Sequence, residues 1–332
     1  MDSLFIITIL IVFCALAFDF INGFHDTANA IATSVSTKAL KPRHAIILAA
    51  VMNFLGAMTF TGVAKTITKD IVDPFMLENG SIVILAALIA AIFWNLVTWY
   101  YGIPSSSSHA IIGSIAGAAI AAAGFGILNY SGFLKILQAL IISPLIAFAG
   151  GFIVYSLFKV LFKNNNLTKT NRRFRYFQIF TAALQSYTHG TNDAQKAMGI
   201  ITMALIANNY QSSTEVQSWV QLSCALAMGL GTSVGGWKII KTVGGKIMKI
   251  RPVNGVAADL TSAMIIFGAT TIHLPVSTTH VISSSILGVG ASHRIRGVKW
   301  GTAQRMLITW VITLPISATI AGLTYLLLDV FL

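Results

Sequence analysis

The sequence predicts an all-α polytopic membrane protein of two inverted-topology repeats, each about three full transmembrane helices plus a re-entrant helical hairpin. Three observations predict it. Of 332 residues, 55% are hydrophobic and 10% charged, mean hydropathy is +0.78, and apolar runs of spanning length recur along the chain. A pair of polar motifs occurs twice: Gly23-Phe24-His25-Asp26-Thr27-Ala28-Asn29 then Pro104-Ser105-Ser106-Ser107-Ser108-His109, and Gly190-Thr191-Asn192-Asp193-Ala194-Gln195-Lys196 then Pro275-Val276-Ser277-Thr278-Thr279-His280. The copies lie 167 and 171 residues apart. Finally, Lys and Arg gather in short segments between apolar runs, as cytoplasmic loops do.

In chain order, residues 4–22 form the first span; no basic leader or small-residue cleavage site marks this run, so a retained helix is expected. The following loop, with Lys38, Lys41 and Arg43, is placed in the cytoplasm and the N-terminus outside. Residues 44–64 cross outward to a loop at 65–81, where Lys65 and Lys69 are balanced by Asp70, Asp73 and Glu78. Apolar stretches 82–103 and 109–127 flank Pro104 and read as a hairpin that enters and leaves from outside. Residues 133–158 cross back to a basic segment holding Lys159, Lys163, Lys169, Arg172, Arg173 and Arg175.

The second half opens with 177–208, a span with a polar interruption at Thr188–Lys196, and 219–237 returns to Lys238, Lys241, Lys246, Lys249 and Arg251. A hairpin at 256–292 turns at Pro275 and opens to the cytoplasm, and 306–328 places the C-terminus outside. The organisation is thus a first membrane repeat at 1–158, a basic cytoplasmic linker at 159–176 and a second repeat at 177–332. An odd number of crossings in each half inverts the second copy, the build of secondary transporters that alternate access around a midplane site. Of the 22 Lys and Arg, 18 fall on the cytoplasmic side, so the net charge of +12 reflects topology and nucleic acid is not an expected partner. Membrane lipid is. Cys14 and Cys224 have no partner spacing for a disulfide or metal site.

Each proline precedes hydroxyl residues and is expected at the first position of a half-helix, where its missing N–H costs nothing. The free N–H groups there, with the hydroxyls of Ser105, Ser106, Ser107, Ser108, Ser277, Thr278 and Thr279, make two donor clusters suited to a tetrahedral oxyanion. The bland alternative is that these hydroxyls satisfy backbone freed at a helix break. Asp26 and Asp193, with Asn29 and Asn192 beside them, are the candidates for cation handling. Carboxylate and amide oxygens suit Na⁺, Mg²⁺ or Ca²⁺, in which case these four are the metal ligands, and a buried carboxylate equally takes a proton. An N-cap role for either acid is the structural alternative. His25, Gln195 and Lys196 are secondary candidates; Lys196 can pair with Asp193 or attract the anion. His109 and His280 read as hydrogen-bonded supports of the hairpin tips, and Asp19 and Asp259 lack counterparts in the other half. Gly113, Gly117, Gly229, Gly231, Gly235 and Gly236 read as sites of close helix packing.

At these motifs the chain resembles the inorganic phosphate transporter (PiT) family, in its bacterial low-affinity form, nearly end to end. Gly23–Asn29 and Thr191–Lys196 look like its two signatures, and Pro104–His109 and Pro275–His280 like its hydroxyl turns. The resemblance implies uptake of inorganic phosphate by cation symport, phosphate lying between the tips and the cation near Asp26, Asn29, Asn192 and Asp193. Eukaryotic members carry Gly-Ala-Asn-Asp and a glutamate in the next helix, where this chain has His25 and Asn53. That departure weakens transfer of sodium coupling, and the Phe-His-Asp pattern resembles proton-linked members that carry a neutral metal–phosphate complex. Proton coupling is therefore expected, with sodium as the alternative, no resident cofactor, and a homodimer implied by the resemblance. Sulfate permeases of the same family are the rival reading. A passive anion channel gives no reason for paired acids, and an intramembrane hydrolase finds no Gly-x-Ser-x-Gly elbow.

Overall fold

The computed structural model describes residues 3–73, 76 and 79–331; Glu78 lies outside them. Among these residues twelve α-helices follow one another: α1 Ser3–Ser36, α2 Pro42–Ala57, α3 Gly62–Asp70, α4 Gly80–Tyr101, α5 Ser107–Ala123, α6 Tyr130–Leu161, α7 Leu167–Ala207, α8 Ser218–Val234, α9 Trp237–Gly245, α10 Pro252–Thr271, α11 Thr278–Arg294 and α12 Trp300–Phe331. Five of them, α1, α4, α6, α10 and α12, are long and apolar enough to cross a bilayer, and α2 with α3, bent by 69° at the break between them, has the length and composition of a broken span or a re-entrant loop. The usual arrangement of side chains is reversed: Phe13, Ile141, Leu145 and Val311 are largely exposed, while Asp19, Asp26, Asp193, Lys196 and Asp259 are enclosed. Lipid is the solvent this surface fits.

Several expectations are corrected. The first span does not end at residue 22: α1 runs unbroken through the motif to Ser36, and α7 runs unbroken through Thr188–Lys196. The polar side chains there recur at intervals of three and four, so they form one stripe on a helix and find partners on neighbouring helices rather than opening the backbone. The breaks fall instead between α2 and α3 and at Gly235-Gly236 between α8 and α9, and the segments after the breaks, α3 and α9, are short helices of 9 residues each. The basic segment at 159–176 is mostly helical, since α6 extends to Leu161 and α7 begins at Leu167. The first arms of the hairpins, α4 with 22 residues and α10 with 20, are each long enough to cross the bilayer at about 33 and 30 Å. Each turns at a left-handed residue, Gly102 (φ 65°) and His273 (φ 62°), ahead of the proline; glycine and, less readily, histidine tolerate that region.

Backbone contacts at glycine pair the helices across the halves. A Cβ on Gly23 would meet Met228 O at 2.5 Å and one on Gly231 would overlap Phe20 O, so α1 lies against α8. Gly190 against Asn53 O and Gly56 against Tyr187 O do the same for α7 and α2. Gly117 abuts Ala318 O, and Gly288 abuts Phe148 O, joining α5 to α12 and α11 to α6. Exchanging the halves converts each pair into the other. We expect Gly288→Ala to lower the thermal unfolding midpoint in detergent by several degrees, because an overpacked contact costs about 1–3 kcal/mol. Gly268→Ala, in open space, should not.

The basic segments meet at one end: Ser36 Oγ donates to Gly244 O, Lys299 Nζ to Gly245 O and Lys159 Nζ to Ser292 O. At the other end Lys65 pairs with Glu215 at 2.6 Å, and Asn208 joins Ser81 to Thr8. The open end of the α4–α5 hairpin, at Ser81, lies there; that of α10–α11, at His293 against Tyr155, lies at the basic end.

Candidate functional site

The site grows from the packing of α1 on α7, whose numbering runs in opposite directions: Asn22 Nδ2 donates to Asp193 Oδ2 at 3.4 Å, and Thr37 Oγ1 to Gln178 Oε1 at 2.6 Å. Along the seam α1 presents Asp19, Asn22, Asp26, Asn29 and Thr33, and α7 presents Gln178, Thr181, Gln185, His189, Asn192, Asp193 and Lys196, all enclosed. The 18-residue advance from Gln178 to Lys196 is about 27 Å of helix, close to the depth of a bilayer core. Both acids are mid-helix, which removes the N-cap reading.

The two hairpin tips close on the middle of this seam and touch: Ser108 Oγ donates to Val276 O at 2.8 Å, and the His109 and His280 rings are 4.6 Å apart. The prolines do not begin the return helices. Ser106 and Ser277 are the N-caps, their hydroxyl oxygens accepting from the N–H of His109 and His280 at 3.1 and 3.2 Å, and each proline sits two residues earlier. A serine outcompetes proline there because its oxygen satisfies an N–H that a proline ring leaves bare. His109 Nδ1 also bonds Ser106 Oγ at 2.9 Å, and His280 stacks on Trp310 at 4.0 Å, whose Nε1–H donates to Pro104 O at 3.1 Å. The two histidines therefore brace the tips.

The remaining tip hydroxyls reach the acids. Ser107 Oγ donates to Asp26 Oδ2 at 2.6 Å, and Thr279 Oγ1, from the other tip, donates to Asp26 Oδ1 at 3.0 Å. In the second half Thr278 Oγ1, the match of Ser107, donates to Asp193 Oδ2 at 3.1 Å. Ser105 instead bonds Thr98 at 2.7 Å. Each acid also has a nitrogen base beside it: His25 Nδ1 lies 2.6 Å from Asp26 Oδ1, and Asp193 has Lys196 Nζ at 2.7 Å and His189 Nε2 at 3.3 Å. Asn29 Nδ2 donates to Thr279 Oγ1 at 2.8 Å, beside Asp26. Asn192 faces the second tip, accepting from Val276 N–H and donating to Thr270 and Leu274 O. Gln195 sits apart, bonding Thr191 O and Ala64 N–H. Among the described residues no group of three or more His, Cys, Asp and Glu forms a metal cluster.

Sequence reasoning passed over Thr98, which bonds His25 Nε2 at 3.1 Å, and gave Asn53 no role in the site. Asn53 Oδ1 meets His189 at 3.0 Å, and its amide donates to Thr27 and Thr232. The available signal was a single polar residue inside an apolar run.

The geometry puts two donor-rich tips against two base-paired acids in a lipid-facing scaffold, and comparison with known proteins agrees in kind. A family model described as "Phosphate transporter family" matches residues 22–321. A protein of Bacillus subtilis (strain 168), "Probable low-affinity inorganic phosphate transporter", is 80% identical over 330 residues, 99% of either chain. A relative of the same description from Rhizobium meliloti (strain 1021) is 44% identical over 317 residues, covering 95% of this chain and 94% of its own. A solved structure, "The sodium-dependent phosphate transporter", superposes with a TM-score of 0.86 at 26% identity, covering 98% of this chain and 100% of that one.

Proposed function

This chain belongs to the phosphate transporter family, and from that premise we propose that it imports inorganic phosphate across the cell membrane by proton symport, with low affinity, through alternating access. The observation that carries the reading is that Ser107 from one tip and Thr279 from the other both donate to the Asp26 carboxylate. An ionised carboxylate binds such donors more tightly than a neutral acid does. Protonating Asp26, and likewise Asp193 with its Thr278 bond, weakens these bonds and turns the hydroxyls toward an arriving anion. Phosphate and proton thus favour each other's binding, and by linkage the effect is reciprocal. The sign follows: affinity for phosphate rises as pH falls.

Proton coupling is favoured over sodium because the nitrogen partners of both acids belong to the chain: His25, Lys196 and His189 stand beside the carboxylates where a metal cation would otherwise sit. Among the described residues no arginine reaches the tips, and the Lys196 ammonium is engaged by Asp193. Cargo whose charge is already lowered, by protons or by a divalent cation carried with the phosphate, suits such a site. The exchangeable pairing α1–α8 with α7–α2, and hairpins open at opposite ends, support an inverted repeat with the basic end in the cytoplasm. A hydrolase is disfavoured: of the two serines beside a histidine ring among the described residues, Ser106 has its oxygen engaged in capping α5, and Ser105, 3.4 Å from His25 Nε2, donates its hydroxyl proton to Thr98 at 2.7 Å.

Labelled phosphate uptake into proteoliposomes tests this. An inside-alkaline pH gradient should drive accumulation, and a sodium gradient at equal pH should not. Sodium-driven uptake, or preference for sulfate over phosphate in competition, would replace the reading.

A further inference from the structure

Among the described residues four carboxylates are enclosed within the helix bundle, and three are held by donors: Asp26 by Ser107 and Thr279, Asp193 by Asn22 and Thr278, and Asp259 by Thr33 and Thr181. Asp19 is the exception. It is 0% exposed, and neither carboxylate oxygen has a hydrogen-bond partner among the described residues.

Its surroundings supply charge but no donors. Asp19 lies two turns before Asp26 on the same stripe of α1, and the charges acting on it are Asp193 and Lys196 of α7. From α8 its titratable neighbour is Cys224. The helices α2 and α4 carry titratable side chains only near their ends, Arg43 and His44 on one and Tyr100 and Tyr101 on the other. The bonds from α9, α10 and α11 to α1 fall farther along it, at Ser36, Thr33, Asp26 and Asn29.

Asp19, Asp193 and Lys196 together bring two carboxyl groups and one ammonium into a closed space. With both acids ionised the group carries an unbalanced negative charge, and an enclosed carboxylate without donors is the costliest member to ionise. One bound proton balances it. We propose that Asp19 is a proton-binding site, the station that holds the transported proton on the side of the protein away from the basic segments and exchanges it with Asp193. When the proton passes from the Asp19 carboxyl to the Asp193 carboxylate, Asp19 becomes the anion facing Lys196 and the charge of the group is unchanged. Asp19 belongs to the half of α1 whose Thr8 meets Asn208 at the end opposite the basic segments, so a proton entering there reaches it before Asp26.

The proposal rests on the proton-symport reading, and Asp19→Asn tests it in proteoliposomes beside the wild type. Two rates are compared: phosphate exchange with no gradient, and accumulation driven by a pH gradient. The variant should exchange within about twofold of wild type, because a neutral side chain mimics the loaded acid, and should fail to accumulate. Accumulation at the wild-type level would overturn the proposal, as would a folded variant that loses both activities. If Asp19→Asn does not fold, Asp19→Glu decides: a shifted pH midpoint of accumulation supports the site, and an unchanged midpoint overturns it. A wild-type protein that accumulates phosphate only under a sodium gradient would bring down the symport reading itself, and Asp19 with it.

Discussion

Asp26→Asn will abolish pH-driven phosphate accumulation while leaving a folded protein, and will flatten the pH dependence of phosphate binding. The amide keeps the shape of the side chain and takes away its charge. In the wild type at alkaline pH, the carboxylate holds Ser107 at 2.6 Å and Thr279 at 3.0 Å, one hydroxyl from each hairpin tip. A hydrogen bond to a charged group contributes about 1.5–3 kcal/mol, against about 0.5–1.5 for a neutral one. Releasing two such donors is therefore worth roughly 2 kcal/mol, or about thirtyfold in phosphate affinity at high pH. Binding and transport should move in opposite directions: phosphate binds at least as tightly at alkaline pH, and net accumulation falls to that of empty liposomes. Equilibrium binding of labelled phosphate between acid and alkaline pH, with uptake measured on the same preparation, checks both halves. A variant that still accumulates phosphate would remove Asp26 from the coupling path.

Lys196→Met should cost more stability than any other single change in the site. Lys196 is 0% exposed and lies 2.7 Å from Asp193, its ion-pair partner one turn away on α7. Removing one member of a buried pair leaves the other uncompensated, at about 3–5 kcal/mol, a large share of the roughly 5–15 kcal/mol that separates folded from unfolded chains. The expected result is a sharp loss of monodisperse protein in detergent and a strongly lowered unfolding midpoint. The double variant Lys196→Met with Asp193→Asn should recover most of that loss, because the orphaned charge goes with its partner. A double-mutant cycle by thermal unfolding reads the coupling directly. Near-additive effects would mean that the pair contributes little to stability.

Much of this architecture is legible before any coordinates. Composition identifies the lipid environment, and the doubled motifs identify both acids and both tips, because polar side chains are costly to hold at bilayer depth and persist there where they are used. Continuity is what hydropathy misreads. In α1 and α7 the polar residues look like interruptions, yet a stripe at intervals of three and four is compatible with an unbroken helix when a second stripe faces it. The short helices α3 and α9 escape notice because 9 residues fall below any spanning window. Ser106 and Ser277 read as ligand donors alongside their neighbours, and only the backbone geometry reveals that they cap α5 and α11. Pairings such as Gly117 on Ala318 and Gly288 on Phe148 join residues far apart in the chain, which no local pattern encodes. Asp19 is similar: a lone acid in an apolar run is visible in the sequence, but its complete enclosure, with no hydrogen-bond partner among the described residues, is visible only in the structure.

The central claim is that the tip hydroxyls are shared between carboxylate and phosphate, so that phosphate binding draws in a proton. Calorimetric titration of phosphate into detergent-solubilised protein, repeated in buffers of different ionisation enthalpy and corrected for phosphate's own protonation, counts that proton. The account predicts net uptake of about one proton per phosphate bound by the wild type near neutral pH, clearly reduced in Asp26→Asn. Phosphate binding with no proton taken up, or with protons released, would contradict it.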